Sequence, residues 1–445
     1  MSDLAARALD ALDRDRLIDD LSRLVRVPSQ TGDERAAIEC LAELCVDHGL
    51  ACAVHEHDLA ALRAHPDYPG AEAERTELMG LEARLPGEEA ARAEPLQRGA
   101  EPAVPSRAIP RLCLAGHLGV VGPGTEPWRH GPWSGAVADG GVHGRGALDM
   151  KAGVVAALHA MAAVAAAAGS DGPPCEVVLL GVSSEEDGGL GAFAALERDD
   201  RYDACLIPEP TDFSVICAHG GALTVHGVVT GVGAHAAFRL AGISAIDRYV
   251  PIHAALAEVE RALNEHVDHP LMAELELPYP VLVGKLQAGS WSSQVPDHLE
   301  FVARVGVPVG MAKADVRTMV ERAVADAARP GAAVELRWVG GQFGSGSTDA
   351  DHPFARLVTS ALEAELPPDQ RPARRAGVSY GADMRLFTER GIPCVMAGPA
   401  GMRLAHAVDE HVRIDDVLRT ARMIVRTIVA FGEGGGDRAA AAPER

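Results

Sequence analysis

The chain has 445 residues, of which 47% are hydrophobic and 23% charged, and its formal net charge is -22. This length exceeds what one ordinary hydrophobic core needs, so we expect two globular units. The negative charge disfavours nucleic acid, and neither an 18-residue apolar run suited to a bilayer nor a signal peptide stands out, which excludes the nucleic-acid-binding and membrane classes.

The first fifty residues predict two helices with a break at residues 28–32. Residues 55–108 are rich in Ala, Glu, Arg and Pro and weakly periodic, which predicts an irregular insertion with little chemistry. From residue 111 short apolar runs end in polar clusters, in RLCLAGH, EVVLLGVSSEE, ACLIPE and, much later, PCVMAGP. Because an alanine-rich helix ending at Gly169 separates the first two runs, we predict an α/β fold with a mixed, largely parallel sheet flanked by helices.

A different rhythm occupies residues 219–343, where strands and helices follow the order β-α-β-β-α-β. That order predicts an inserted ferredoxin-like α+β domain. The α/β pattern resumes over residues 344–432, so the catalytic domain is expected to combine residues 1–218 with this second part. The remaining residues, 433–445, predict a disordered tail.

Six histidine and carboxylate side chains lie where the predicted strands and the alanine-rich helix begin or end. They are His117, Glu185, Glu186 and Glu209 directly after apolar runs, Asp149 at the start of the helix, and His406 after the last strand. If the strands are parallel neighbours, these groups converge at one sheet edge, and so many carboxylates need cations to compensate their charge. Nitrogen and oxygen ligands without thiolate suit two zinc ions, with cobalt or manganese as substitutes.

Each of these motifs also has a structural interpretation. GRGALDMK is compatible with a glycine-rich turn in which Asp149 caps the helix, SSEED with an acidic loop, and IPEPTD with a proline-bounded turn. The joint occurrence of all of them, in this order and at strand ends, favours the metal site. Eight cysteines without CxxC pairs indicate buried thiols in a reducing, cytoplasmic compartment.

In this order the motifs resemble those of the M20 metallopeptidase and deacylase family, which includes acetylornithine deacetylases, succinyl-diaminopimelate desuccinylases, aminoacylases and carboxypeptidases. The likeness covers nearly the whole chain, through VPSQTGDE, GHLGVV, WSGAVADGGVHGRGALDMKAG, SSEEDGG, IPEPT, GVGAHAAFRLAGISAI, GADMRLF, GIPCVMAGP and AHAVDEHV. The glycine-framed run through Asp149 and the paired Glu185 and Glu186 are its specific motifs.

The resemblance implies a zinc-peptidase-like catalytic domain with two zinc ions bridged by Asp149. His117 and Glu209 would bind one ion, Glu186 and His406 the other, and Glu185 would be the catalytic base that moves the proton of the attacking water.

The resemblance further implies that the inserted domain at residues 219–343 is a dimerisation and lid domain, through which the chain forms a homodimer. His235 in GVGAHAAF would then stabilise the oxyanion in trans, unless it is an ordinary exposed loop histidine. Ser293, Gly381 in GADMRLF and Arg304 would contact a carboxylate-bearing small-molecule substrate, with a solvent-facing strand position as the alternative for Arg304. Arg385 is expected to pair with Asp383.

The chain departs from the family pattern where the metal-binding histidine is usually followed, two residues later, by an aspartate. This chain has Gly119 there, and losing such a partner typically changes affinity or activity by about 10-100-fold. Ser293 replaces a common asparagine, and Arg239 a common proline. Two functions stay open: a hydrolase cleaving the amide bond of a small N-acylated amino acid or related metabolite, or a repurposed homologue that keeps its metals with weak or non-hydrolytic biosynthetic or binding activity.

Overall fold

The computed structural model describes residues 2–85, 109–328 and 333–434. The helices are α1 (Asp3–Asp10), α2 (Arg14–Val25), α3 (Arg35–Asp47), α4 (Leu59–Arg63), α5 (Ala152–Ala168), α6 (Leu190–Arg198), α7 (Ala245–Glu265), α8 (Lys313–Ala327), α9 (Pro353–Glu363), α10 (Met384–Thr388) and α11 (Ile414–Glu433). The strands are β1 (Ala51–Glu56), β2 (Met79–Leu85), β3 (Arg111–His117), β4 (Ala136–Ala138), β5 (Gly141–His143), β6 (Glu176–Val182), β7 (Ala204–Ile207), β8 (Val215–His219), β9 (Gly221–Thr230), β10 (Val281–Ala288), β11 (His298–Val307), β12 (Ala333–Phe343), β13 (Gly346–Ser347), β14 (Arg375–Val378), β15 (Cys394–Met396) and β16 (His411–Arg413).

The larger sheet has nine strands in the order β1-β2-β6-β3-β7-β15-β8-β13, with β14 paired to β8. Its centre is parallel, because β3 pairs in parallel with β6 and β7, and β15 with β7. Strands β1, β2 and β13 are antiparallel to their neighbours. This mixed, largely parallel sheet confirms the predicted fold class and brings the carboxyl ends of β3, β6 and β7 to one edge.

Helix α5 is the central helix of the main core. It packs on α11 and α1 as well as on the sheet, and Gly169 ends it with a positive φ, as predicted. The segment Ala147–Asp171 is long and apolar enough to cross a membrane by length and composition, contrary to the expectation of no such run. Its side chains instead fill the protein core, and the helix contributes Val154, Val155 and Leu158 to it with no exposed surface.

A second sheet, β10-β11-β9-β12, is entirely antiparallel and carries α7 and α8 on one face. The order β9-α7-β10-β11-α8-β12 is the predicted β-α-β-β-α-β order. A separate hydrophobic cluster, which includes Val225, Ile252, Phe301 and Val320, fills the space between these helices and their sheet.

The prediction for residues 55–108 is wrong in part, because β2 lies in the main sheet between β1 and β6. Glu82, on this strand, is buried and forms ion pairs with Arg84 and Arg198. Because these charged residues interrupt the hydrophobic pattern, the sequence did not predict the strand. Residues 86–108 lie outside the described residues. The N-terminal fifty residues form three helices, where two were predicted. Beyond Gly434 the predicted tail lies outside the described residues as well.

Candidate metal centre

The predicted ligands converge at the carboxyl edge of the parallel strands. His117 is the last residue of β3, Glu185 and Glu186 follow β6, and Glu209 follows β7. Asp149 lies in the irregular segment Ala147–Lys151 that precedes α5, with φ -114° and ψ 96°. It therefore does not open the helix, and its side chain does not cap it, so the helix-cap interpretation of Asp149 is wrong.

Two groups of three ligands share Asp149. In the first, His117 Nε2 lies 3.3 Å from Asp149 Oδ1 and 3.5 Å from Glu209 Oε1. In the second, His406 Nε2 lies 3.3 Å from Asp149 Oδ2 and 3.2 Å from Glu186 Oε2. Zinc bonds of about 2.0–2.2 Å in a tetrahedron place neighbouring ligand atoms about 3.3–3.5 Å apart. The spacing and the donor types of both groups therefore fit zinc, with one oxygen of Asp149 on each side.

The tautomer of His117 is set by the backbone of Gly119. His117 Nδ1 donates to the Gly119 carbonyl at 2.7 Å, so Nε2 is the ring nitrogen that faces the carboxylates. At this distance from acidic oxygens Nε2 binds a cation, either a metal ion or a proton. The backbone carbonyl of Gly119 is thus the hydrogen-bond acceptor that orients the imidazole of His117.

The charges of the cluster shift one another's pKa values. Burial opposes the charged form of His117, but Glu209, Asp149 and Glu185 outweigh it and hold the pKa of His117 well above its usual value. Hydrogen bonds to Asp149 and Glu186 raise the pKa of His406 to about 10. Burial, together with Asp149 and the neighbouring glutamates, raises the pKa of Glu209 well above its usual value. Without a divalent cation the site would therefore hold protons in its place.

Glu185 lies inside the cluster and outside both ligand groups. Its Oε2 atom is 3.9 Å from His117 Nε2. Burial is the largest cause that raises the pKa of Glu185 well above its usual value, and Asp383 and Glu186 add to it. A carboxyl group with this affinity for a proton, next to a metal position, can take up and return one.

A buried network lies behind the loop of Glu185 and Glu186. Ser184 donates its hydroxyl to Asp187 and its backbone N–H to Glu34 at 3.1 Å. Arg75 donates to both Asp187 and Glu34 at 3.2 to 3.5 Å. Sequence reasoning missed this network, because Arg75 belongs to the segment predicted to be irregular and lies 41 and 112 residues from Glu34 and Asp187 in sequence.

Gly119 faces this network. A Cβ atom added at Gly119 would lie 3.1 Å from Glu34 Oε1 and 3.3 Å from Glu34 Cγ. The space beside residue 119 is thus occupied by a buried carboxylate whose pKa is raised, chiefly by burial. An aspartate at position 119 would bring a second negative charge into the same space.

Among the described residues, no hydrogen bond or ion pair joins the candidates of the inserted domain to this cluster. His235 and Ser293 are both exposed and lie on neighbouring loops. The two loops are joined by a hydrogen bond from Ala236 N to Ser293 O at 2.9 Å and by an isolated antiparallel β-bridge between His235 and Gln294. Arg304 is exposed on β11, opposite Leu282 and Thr224. The last of the substrate candidates, Gly381, lies near the main site against Phe343, where an added Cβ would lie 2.8 Å from the ring.

Arg385 is buried beside Asp383, as predicted, at 3.9 Å from its carboxylate. Its short hydrogen bond goes to the Gly188 carbonyl at 2.7 Å, after the SSEED loop. Burial raises the pKa of Asp383 to about 6. Both members of the pair are buried, and the charge of Asp383 contributes to the raised pKa of Glu185.

Two other groups combine histidine with aspartate. Asp20 accepts from His48 and His159 at 2.7 and 2.9 Å, so this buried group is complete as a hydrogen-bond network. The other group comprises His130, His143 and Asp139. The carboxylate of Asp139 forms an ion pair with Arg129, with 3.1 Å between Oδ2 and Nη1. Neither has the shared carboxylate of the main cluster, which is the candidate functional site.

Comparison with known proteins gives the family of the chain. A profile of peptidase family M20/M25/M40 matches residues 113–430. A succinyl-diaminopimelate desuccinylase of Methylobacterium nodulans is 29% identical over 342 residues, which cover 74% of this chain and 82% of the relative.

Solved structures share the fold across nearly the whole chain. A tripeptidase of Staphylococcus aureus gives a TM-score of 0.68 at 18% identity, covering 95% of this chain and 100% of that one. A dinuclear metal binding peptidase of Bacillus subtilis gives a TM-score of 0.56 at 16% identity, covering 94% and 98%.

Proposed function

The chain belongs to peptidase family M20/M25/M40 and is a metal-dependent amide-bond hydrolase, and we propose that it removes the acyl group from a small N-acylated amino acid or related metabolite. The observation that carries the proposal is the pair of ligand groups sharing Asp149. The name of the desuccinylase relative supports an N-acyl substrate, and that of the tripeptidase neighbour supports a peptide-like amide.

In this proposal His117, Glu209 and Asp149 hold one zinc ion, and Glu186, His406 and Asp149 hold the other. Cobalt or manganese would serve as substitutes, because the ligands are nitrogen and oxygen atoms. When bound, the ions supply Lewis-acid chemistry, which stabilises negative charge on a carbonyl oxygen and makes water more acidic.

Glu185 is assigned the proton transfers. Its carboxylate accepts a proton from the attacking water and returns it to the nitrogen of the leaving amine. Glu185 lies inside the cluster, with Oε2 3.9 Å from His117 Nε2, and belongs to neither ligand group. This position supports the role. Burial of the carboxyl group favours its protonated form, which suits a base that must keep a proton between two steps.

His235 is assigned the stabilisation of the oxyanion, in trans, within a homodimer formed through residues 219–343. In the monomer this histidine lies on an exposed loop beside Phe238, Leu240 and Trp291, whose exposed fractions are 71%, 96% and 72%. Large exposed apolar side chains on neighbouring loops favour a protein partner. A second chain is the partner that would bring a histidine to the cluster.

The substrate is expected to be small and to carry a carboxylate, which Arg304 would bind through two parallel hydrogen bonds. Ser293 lies beside His235 and would contact the substrate from the same side. Gly381, which packs against Phe343, is also assigned a contact with the substrate. The cytoplasm remains the predicted location.

The second candidate function is a repurposed homologue with weak or non-hydrolytic activity, and Gly119 is the observation that favours it. Two observations support the hydrolase instead. The Gly119 carbonyl holds the imidazole of His117 in the required tautomer, and Glu185 has no use in a protein that only binds.

The test is a screen of N-formyl, N-acetyl and N-succinyl amino acids and dipeptides with zinc- or cobalt-loaded protein. The hydrolase predicts turnover of at least one class, lost on chelation and regained on adding metal. Absence of turnover across all classes by fully metal-loaded dimer would favour the repurposed homologue.

A further inference from the structure

A buried ion pair, Arg145 with Glu410, lies beneath the metal cluster and has no part in the assignments above. Arg145 Nη1 donates to Glu410 Oε2 at 2.6 Å, and the two side chains are 3% and 0% exposed. Arg145 also lies over the ring of Trp128, 5.1 Å from its centroid. The pair joins the loop before α5 to the loop before β16.

Each member of the pair holds the backbone of a proposed metal ligand. Glu410 Oε1 accepts from the backbone N–H groups of Leu148 and Asp149 at 3.0 and 3.1 Å. Arg145 donates to the carbonyls of His406 and Ala407, both at 3.1 Å. The pair therefore fixes the two segments that carry Asp149 and His406 relative to each other.

The two ligand groups differ in how firmly the rest of the fold holds them. His117 ends a central strand, is 2% exposed, and has its ring fixed by the Gly119 carbonyl. His406 lies on a loop, with a half-exposed side chain and a φ of 62°, a left-handed conformation that residues other than glycine rarely adopt. Such a conformation persists only where the surroundings hold it, and Arg145 holds the carbonyl of that residue.

We propose that Arg145 and Glu410 are positioning residues that matter more to the metal position formed by Glu186, His406 and Asp149 than to the position of His117. The two positions share Asp149, but the second takes its other ligands, His117 and Glu209, from the ends of central strands. The inference rests on the proposed dinuclear site. It predicts two metal positions of unequal dependence on one ion pair.

Glu410→Gln preserves the shape of the side chain and removes its charge. Arg145 would then lie buried beside a neutral amide, and one of the two acceptor oxygens would become a donor. We expect the His406-side ion to bind about 10-100-fold more weakly, and the His117-side ion, which shares only Asp149 with it, to be weakened clearly less. Arg145→Lys keeps the charge but replaces the planar fork with one ammonium, so the contacts to Glu410 and to the His406 loop cannot all be kept. We expect the same selective loss.

The experiment is a cobalt titration of metal-free full-length protein, followed by calorimetry and by the visible spectrum of the bound ions. Asp199→Asn is the matched control, because Asp199 is 8% exposed and pairs with Arg111 at 2.9 Å at the opposite end of β3. This control should lose stability without losing either ion. Circular dichroism of each variant verifies that it is folded.

For the native protein and for Asp199→Asn we expect two binding steps. For Glu410→Gln and Arg145→Lys we expect one strong binding step and one weakened step. Equal weakening of both steps in the two variants, or no weakening in either folded variant, would overturn the inference alone. A native protein that shows only one step would instead contradict the dinuclear site, and the inference with it.

Discussion

The edge of the main sheet and the inserted domain hold their candidate residues very differently. At the sheet edge, His117, Glu209 and Asp149 are brought together by strand ends and short loops, and burial and the neighbouring charges together shift their pKa values. In the inserted domain, Arg304 and His235 are exposed, and no described contact joins them to the cluster. The ligand groups of the first region lie within one chain, whereas the roles proposed for the second region require a substrate or a partner.

This difference shows what a fold can position by itself. A residue directly after a central parallel strand lies at the carboxyl edge of the sheet. The residues that follow the adjacent parallel strands lie at the same edge, so the sheet topology determines its neighbours. A residue on the loop of a separate domain acquires its neighbours through domain placement or association. The four predictions below test the two regions, beginning with the largest expected effect.

Glu185→Gln should lower kcat by about 10²–10⁴-fold, because the variant cannot accept the proton of the attacking water. Metal content should stay unchanged, since Glu185 is not among the ligands. The measurement is kcat on the best substrate of the panel, with metal analysis of the same sample. An unchanged rate would show that the base is misassigned.

His235→Ala should lower kcat by about 10²–10³-fold, the usual effect of removing one oxyanion donor. The trans arrangement is tested by mixing His235→Ala with Glu185→Gln under conditions that exchange subunits. Half of the dimers would then be hybrids with one complete site, so about a quarter of the native activity should return. A monomer in sedimentation, or mixing without recovery, would remove the trans role.

Arg304→Met should raise KM by about 10-100-fold for a substrate with a carboxylate, because one charged hydrogen-bonding partner is lost. The matched substrate is the corresponding carboxamide, for which the native protein and the variant should differ little. If both substrates respond alike, Arg304 is a solvent-facing strand residue.

Gly119→Asp should have the smallest effect and should be unfavourable. The new carboxylate would face Glu34, and His117 already has a hydrogen-bond acceptor, so we expect a loss of about 1–3 kcal/mol in stability and no gain in turnover. Gly119→Ala adds the Cβ without the charge, and it should lie between the native protein and Gly119→Asp in thermal denaturation. A large gain in deacylase activity for the aspartate variant would mean that the native site is impaired.

The parallel sheet and its ligands could be predicted because His117 and Glu209 each follow an apolar run in sequence. The glycine-rich motif around Asp149 identified this residue as a candidate ligand. It did not predict that the backbone of Asp149 is irregular and not helical. β2 was missed, because the buried, ion-paired Glu82 breaks its hydrophobic pattern. Arg145 and Glu410 were also missed, because their significance lies in contacts between segments 265 residues apart, which no local pattern reports.

The most direct test of the central claim is the metal content of the native protein and of Asp149→Asn, after chelation and reconstitution with zinc or cobalt. The shared carboxylate predicts about two ions per native chain and a clear loss in the variant, with both proteins folded. Fewer than about half an ion per native chain, with no gain on adding either metal, would contradict the dinuclear site.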